Sequence, residues 1–264
     1  MVEERVTARV MDVQYDDEDE LYVRLMLRTE DNERFCPKVY GVVPYLFLHE
    51  DAKNPKHNDY LAQFVRGVYS GYESFDGHSL MQVTTHSPSD VRKIRDKYDE
   101  TWEADLPFVR RCTADYGMSG FVSVPYESAF HVSEIESADP KDIRPRVCTY
   151  DIEVDAPDSF YDEFAEEAPN EVRAITAHDS YEDEYVLFCL DGELAVNATR
   201  IRSEIEDHWD GHDEYDDLTD IHIRFKRFSS ESVLLSAFAE YVSERQFDVF
   251  TGWNVVDFDH EYIV

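Results

Sequence analysis

The segment Arg146-Val-Cys-Thr-Tyr-Asp-Ile-Glu-Val154 constrains this chain more than any other. Side chains two apart on a strand share a face. Asp151 and Glu153 therefore stand together, while Tyr150, Ile152 and Val154 supply an apolar opposite face. Two carboxylates held side by side in apolar surroundings repel one another unless a cation lies between them. A divalent metal is the simplest such cation. The bland alternative is an edge strand with a wet outer face. Acid-x-acid spacing recurs at Asp31/Glu33 and Glu182/Glu184, where the charged context reads as solvated turns.

A second signal lies at Asn254-Val-Val-Asp-Phe-Asp259. It follows Phe247-Asp-Val-Phe250 and Gly252-Trp253, so the order is strand, turn and helix start. The aromatic neighbours argue for burial of Asp259, facing the first strand. An acid on the first turn of a helix is also a favourable dipole partner without further function. Three converging acids suit two divalent metals, which together activate water and stabilise the leaving oxygen in phosphodiester hydrolysis.

Around these segments the chain reads as two domains, 1–140 and 141–264, of α/β class. The first is β-rich, with strand-like runs over Leu21–Arg28 and Phe35–Leu48 and an acidic turn at Asp16–Glu20. A helix is predicted over Pro88–Tyr98 from the spacing of Val91, Ile94 and Tyr98. The polar, proline-containing stretch Glu134–Pro145 marks the boundary. The second domain opens with the Asp151 strand and an acidic loop from Asp155 to Asn170. Strands Val172–His178 and Tyr185–Leu190 complete a three-strand meander.

Ser203–Asp220 reads as a solvated helix or loop, and Ile221–Phe225 as a fourth strand. A helix capped at Ser229 or Ser230 runs to about Gln246, its apolar face formed by Val233, Leu234, Ala237, Phe238, Tyr241 and Val242. Phe247–Thr251 is a fifth strand, and a last helix starts near Asp257. This order suits a mixed sheet covered by helices. Val264 falls inside the last predicted helix, so the chain reads as cut short.

Composition decides the setting. Fifty-nine acids stand against 25 Lys and Arg, a formal charge of −34, which in a chain poor in aromatics would mean disorder. With 17 Tyr and 16 Phe the chain folds instead. Such charge repels itself at low ionic strength and is screened at about 1 M salt, where the Debye length is about 3 Å. The composition is that of a salt-adapted cytoplasmic protein. Acids spread along the chain argue against a DNA mimic or an acidic tail for a basic partner. The cysteines Cys36, Cys112, Cys148 and Cys189 lie far apart, as free thiols in a reducing compartment do. No signal peptide or membrane-spanning run is present.

Two smaller features carry less. His208 and His212 are four apart, a metal spacing, but in a segment that reads as a solvated surface helix. Arg110 and Arg111 could meet phosphate, although a lone basic pair more often forms surface ion pairs.

Thr149-Tyr-Asp-Ile-Glu153 resembles the first exonuclease motif of family B DNA polymerases, and Gly252-Trp-Asn-Val-Val-Asp-Phe-Asp259 resembles the second. Thr85-His-Ser-Pro-Ser-Asp-Val91 and Glu103-Ala-Asp-Leu-Pro-Phe-Val-Arg-Arg111 look like the N-terminal domain of archaeal members. With the acidic composition, the source reads as a halophilic archaeon or its virus. The resemblance implies an α+β N-terminal domain followed by a ribonuclease H-like 3′–5′ exonuclease domain. It further implies that Asp151, Glu153 and Asp259 are catalytic and bind two Mg2+ or Mn2+ ions, Glu153 also positioning the attacking water. Asn254 and Phe258 would approach the 3′-terminal nucleotide, where aromatic stacking tolerates any base; ordinary core packing is the alternative for Phe258.

Pro88, Val91, Pro107 and Phe108 match a template-reading pocket for uracil, or else plain packing. The implied partners are the primer 3′ end, single-stranded template, the rest of a polymerase and a sliding clamp. The third exonuclease motif and the polymerase palm are not seen, so neither polymerisation nor efficient degradation is expected from this chain alone. Two other readings compete: a stand-alone two-metal exonuclease, and a non-catalytic DNA-binding or subunit-interaction module with a vestigial metal site.

Overall fold

Alternation of apolar and polar residues sends most of this chain into strands. A computed structural model describes residues 4–155, 168, 170–190, 199–200, 203–204 and 222–264. Two compact units emerge, Met1–Arg144 and Pro145–Val264, against a sequence-based boundary at 140/141. Both mix strands with a few helices, in keeping with the α/β expectation.

The first unit contains, in chain order, β1 (Arg5–Asp16), β2 (Tyr22–Thr29), β3 (Arg34–Phe35), β4 (Lys38–Tyr40), β5 (Tyr45–His49), β6 (Val65–Glu73) and β7 (Ser79–Thr85). There follow α1 (Pro88–Arg95), α2 (Phe108–Asp115), β8 (Phe121–Pro125), β9 (Ala129–His131) and β10 (Glu136–Ser137). One sheet of seven strands runs β10-β8-β1-β2-β4-β9, with β3 also on β2; a second runs β5-β7-β6. The predicted acidic turn joins β1 to β2, whose last pair is Asp16 with Tyr22. Val23, Leu25 and Leu27 alternate into a core with Val39, Met118 and Val122. Leu46, Leu48, Met81 and Val83 close the inner face of the smaller sheet against Val91 and Ile94 of α1.

Pro88 opens α1, where its fixed φ suits the first helical position. The Ser87 N–H donates to Asp90 Oδ2 at 3.2 Å. The helix ends at Arg95, short of Tyr98: the Lys97 and Tyr98 amides bond only three residues back, to the Ile94 and Arg95 carbonyls, and the Tyr98 hydroxyl donates to the Lys53 carbonyl at 2.6 Å.

The second unit contains β11 (Val147–Val154), β12 (Val172–Asp179), β13 (Glu184–Leu190), β14 (His222–Phe228), α3 (Glu231–Arg245), β15 (Val249–Thr251) and α4 (Asp259–Ile263). The sheet order is β14-β13-β12-β11-β15. Strands β11 to β13 form an antiparallel meander, and β14 and β15 add to its two sides in parallel. Tyr150, Ile152, Ile175 and Phe188 of the sheet pack on Leu234, Phe238 and Tyr241 of α3. Ser230 occupies the N-cap position of α3 without a side-chain capping bond, and Gln246 ends the helix in the left-handed region at φ 52°. The buried stripe is narrower than the sequence implies: Val233 is half-exposed, because Leu234, Phe238 and Tyr241 already hold the core-facing line and Leu235 takes the flank.

At the end of β12, on the face that carries α3, lies an ion network. Asp179, at the end of β12, is fully buried. Arg146 donates to both its oxygens, Nε to Oδ1 at 3.0 Å and Nη2 to Oδ2 at 2.5 Å. Arg245 stands 3.7 Å from Asp179 and 3.2 Å from Glu182, while Glu184 accepts from Arg224 at 2.6 Å. Glu182 and Glu184 thus form part of a network rather than a merely solvated turn. Burial alone would raise the Asp179 carboxyl, but the hydrogen bonds from Arg146 and the Tyr181 N–H, with the charges of Arg146 and Arg245, hold it below its ordinary value.

All four cysteines are free. Among the described residues no helix is long and apolar enough to cross a membrane. Most of Asp155–Asn170 and of Ser203–Asp220, and with it His208 and His212, lies outside the described residues.

Candidate active site

The site is built where β15 stops. That strand pairs with β11 only at Val147, Cys148 and Thr149. Gly252 then passes so close to β11 that a Cβ there would stand 2.3 Å from the Tyr150 carbonyl oxygen, an approach that requires glycine. The next outward-pointing amide of β11 has no strand to pair with. The Ile152 N–H donates instead to Asp259 Oδ1, at the start of α4, at 2.9 Å. A side chain from the second acidic segment thereby completes the backbone bonding of the first.

Asp259 is 2% exposed. Burial raises its carboxyl above the ordinary value; the Ile152 N–H works against that rise and the Asp151 charge adds to it. Asp151 and Glu153 are exposed on one face of β11, with Tyr150 and Ile152 directed to the core. Tyr150 is held at about 12, first by burial and then by Asp259, and its hydroxyl lies 3.3 Å from His260 Nδ1. Helix α4 is anchored by Tyr262, whose hydroxyl donates to the Asn170 carbonyl and accepts from the Asn170 N–H, each at 2.8 Å.

Asn254 is exposed and left-handed at φ 57°, a conformation asparagine tolerates better than most residues. Its carbonyl accepts from the Phe258 N–H at 3.0 Å. Phe258 is half-buried against the core, its ring 5.5 Å from Tyr262.

The structure thus brings Asp151 and Asp259 into electrostatic reach and leaves Glu153 beside Asp151 on the open face. Among the described residues no group of three His, Cys, Asp or Glu side chains stands close enough to hold a metal ion. The ion pairs of this unit are made elsewhere, around Asp179, Glu171 and Glu184, and among the described residues none reaches Asp151, Glu153 or Asp259. Carboxylate oxygens without a protein cation are the donor set of a hard divalent ion, so the residues fit one by charge and by ligand type.

A separate cavity of about 370 Å³ lies within the first unit. Pro88, Val91, Pro107 and Phe108 all line it, together with Tyr15, Tyr45, Arg92, Arg95 and Arg111, which the sequence did not single out for it. Tyr15 and Tyr45 come from strands distant in the chain and carry no local mark, whereas Arg92 and Arg95 share α1 with Pro88 and Val91, and Arg111 shares α2 with Phe108. Phe108 meets Tyr15 edge to face at 5.3 Å. Arg111 is no surface residue: it is buried, lies 3.9 Å over the Tyr45 ring and pairs with Glu103 at 3.2 Å.

Comparison with known proteins adds three findings. The family model described as DNA polymerase family B, exonuclease domain, matches residues 100–264. The DNA-directed DNA polymerase of Escherichia phage RB69 is 30% identical over 122 residues, 45% of this chain and 13% of that protein. The structure of the family B DNA polymerase from the hyperthermophilic archaeon Pyrobaculum calidifontis aligns with a TM-score of 0.67 over 97% of this chain and 31% of that one. At 19% identity this last likeness shows the fold alone. The chain therefore spans well under half the length of either protein.

Proposed function

The chain belongs to the family B DNA polymerases through its exonuclease domain, and from this we propose that it is the N-terminal and proofreading part of a replicative DNA polymerase, acting on the primer 3′ end. The observation that carries the reading is the hydrogen bond from the Ile152 N–H to Asp259. It joins the two acidic segments, and places a buried carboxylate next to Asp151 on a strand edge that β15 leaves open.

In this reading Asp151, Glu153 and Asp259 hold two divalent ions, Mg2+ or Mn2+. Metal bound there would lower the pKa of water and stabilise the leaving oxygen of a phosphodiester. The chain's own part is positional. Asp259 is fixed by Ile152, Asp151 is fixed on the sheet, and Glu153 projects from the open face where it can orient a water. Asn254 and Phe258, at the turn into α4, are the residues for the terminal nucleotide. The cavity lined by Pro88, Val91, Pro107 and Phe108 takes a uracil base of the single-stranded template. Its size and the edge-to-face Tyr15 and Phe108 rings support a flat occupant. The remaining polymerase polypeptide and a sliding clamp are the protein partners, and the setting is a salt-rich cytoplasm such as that of a halophilic archaeon.

Thermal unfolding with Mg2+, Mn2+ or a chelator tests the metal site, alongside single-turnover digestion of a mismatched primer terminus. Wild-type protein should be stabilised by metal and should trim the 3′ end only inefficiently. Asp151→Asn and Asp259→Asn should lose both responses. An equal metal response in the variants would overturn the assignment. Retained primer-template binding without any metal response would instead favour the binding module with a vestigial site.

A further inference from the structure

Tyr150 stands immediately before Asp151 on β11, and His260 immediately after Asp259 at the start of α4. These two flanking side chains meet: the Tyr150 hydroxyl lies 3.3 Å from His260 Nδ1. Tyr150 is 3% exposed. Its ring packs near Phe238 of α3 at 5.7 Å and edge to face on Phe250 of β15 at 6.2 Å. Packing therefore fixes the hydroxyl, and a buried hydroxyl needs a hydrogen-bond partner. His260 is exposed, yet it supplies that partner.

Backbone contacts act on the same two residues. Gly252 passes against the Tyr150 carbonyl, and the His260 N–H donates to the Val255 carbonyl at 2.8 Å. Tyr150 thus touches both ends of the turn that delivers Asp259. One hydrogen bond alone leaves a carboxylate free to pivot, and the Ile152 N–H grips Asp259 at a single oxygen. An attachment one residue further along α4 removes that freedom. Tyr262 anchors the far end of the helix, and the Tyr150–His260 pair secures the end that carries Asp259.

We propose that Tyr150 and His260 form a clasp that positions Asp151 and Asp259 for divalent metal. Neither touches the reacting atoms; both act through the acid next to them in the chain. The proposal rests on the two-metal reading of this site. Partners standing behind metal ligands change metal affinity by about 10–100-fold when removed.

Isothermal titration calorimetry of the full chain with Mn2+, beside thermal unfolding in chelator, tests the clasp. Tyr150→Phe keeps the packed ring and removes the hydroxyl. It should weaken Mn2+ binding at least about tenfold and leave the melting temperature in chelator near that of wild type. His260→Ala should do the same, and His260→Asn, which keeps an acceptor near the Nδ1 position, should recover most of the affinity. The double variant, Tyr150→Phe with His260→Ala, should bind no more weakly than either single one, since a shared contact is lost only once. A lowered melting temperature with unchanged Mn2+ affinity, or losses that add in the double variant, would overturn the clasp and leave the metal site in place. No Mn2+ binding by wild type would overturn the two-metal reading and the clasp's role with it.

Discussion

The Asp259 carboxylate accepts the Ile152 amide proton at 2.9 Å, so a side chain takes the place that a strand backbone holds elsewhere in the sheet. Asp259 is buried with its carboxyl raised, chiefly by desolvation and further by Asp151. A group of this kind contributes its full stability below the unfolded carboxylate value of about 3.9, and that contribution is lost as pH rises through the folded value. At neutral pH the ionised form is therefore a cost to the metal-free fold. Asp259→Asn keeps an acceptor for Ile152 and removes the charge. It should raise the melting temperature in chelator by roughly 2–4 °C, on the order of 1 kcal/mol, while abolishing stabilisation by divalent metal. Calorimetry with and without Mn2+ at pH 5 and 8 checks this, and the gain should be smaller at pH 5.

Asp179 carries the opposite sign. Its carboxyl is held low against burial by Arg146, Tyr181 and Arg245. Its stabilising contribution is present above the unfolded value of about 3.9 and is lost as pH falls through the folded one. Asp179→Asn leaves Arg146 and Arg245 beside a neutral buried group and should cost about 3 kcal/mol at pH 7. Urea unfolding should show the gap between variant and wild type closing below about pH 4.

Asn254 separates backbone from chemistry. Its φ of 57° is open to glycine without strain and costs other residues on the order of 1 kcal/mol. Asn254→Gly should unfold at the wild-type temperature and Asn254→Ala somewhat below it. If the side chain touches the 3′-terminal nucleotide, both should weaken binding of a frayed primer end equally. Stability and primer affinity are measured on the same preparations.

Salt should act on the whole fold. A formal charge of −34 repels itself over a Debye length of about 10 Å at 0.1 M, and over only about 3 Å at 1 M. The melting temperature should climb between 0.1 and 1 M KCl. A flat response would show that the acids are spaced too widely to interact.

The sequence showed the strands and the acidic face of β11 because alternation is local: Tyr150 and Ile152 inward, Asp151 and Glu153 outward. The meander and helix α3 were equally legible. What stayed hidden depends on distant partners. Nothing near Asp259 says that it will meet an amide in β11. Acid density alone could not tell Glu182, which finds Arg146 and Arg245, from Asp31 in its exposed turn. Val233 fitted a helical face by period but lies off the line that the sheet covers. Pro88, Val91, Pro107 and Phe108 were named from short segments, whereas Tyr15 and Tyr45 joined them only through the packing of strands.

The close pass of Gly252 over the Tyr150 carbonyl makes the stretch from Gly252 to Asp259 a ruler. One end is pinned because no other residue fits there, and the other is read by the single amide of Ile152. Adding one residue between them would rotate the carboxylate by about 100° around the axis of α4 and turn it off the strand. Length in this turn is therefore under tighter control than the identity of its exposed residues, Trp253 and Val256.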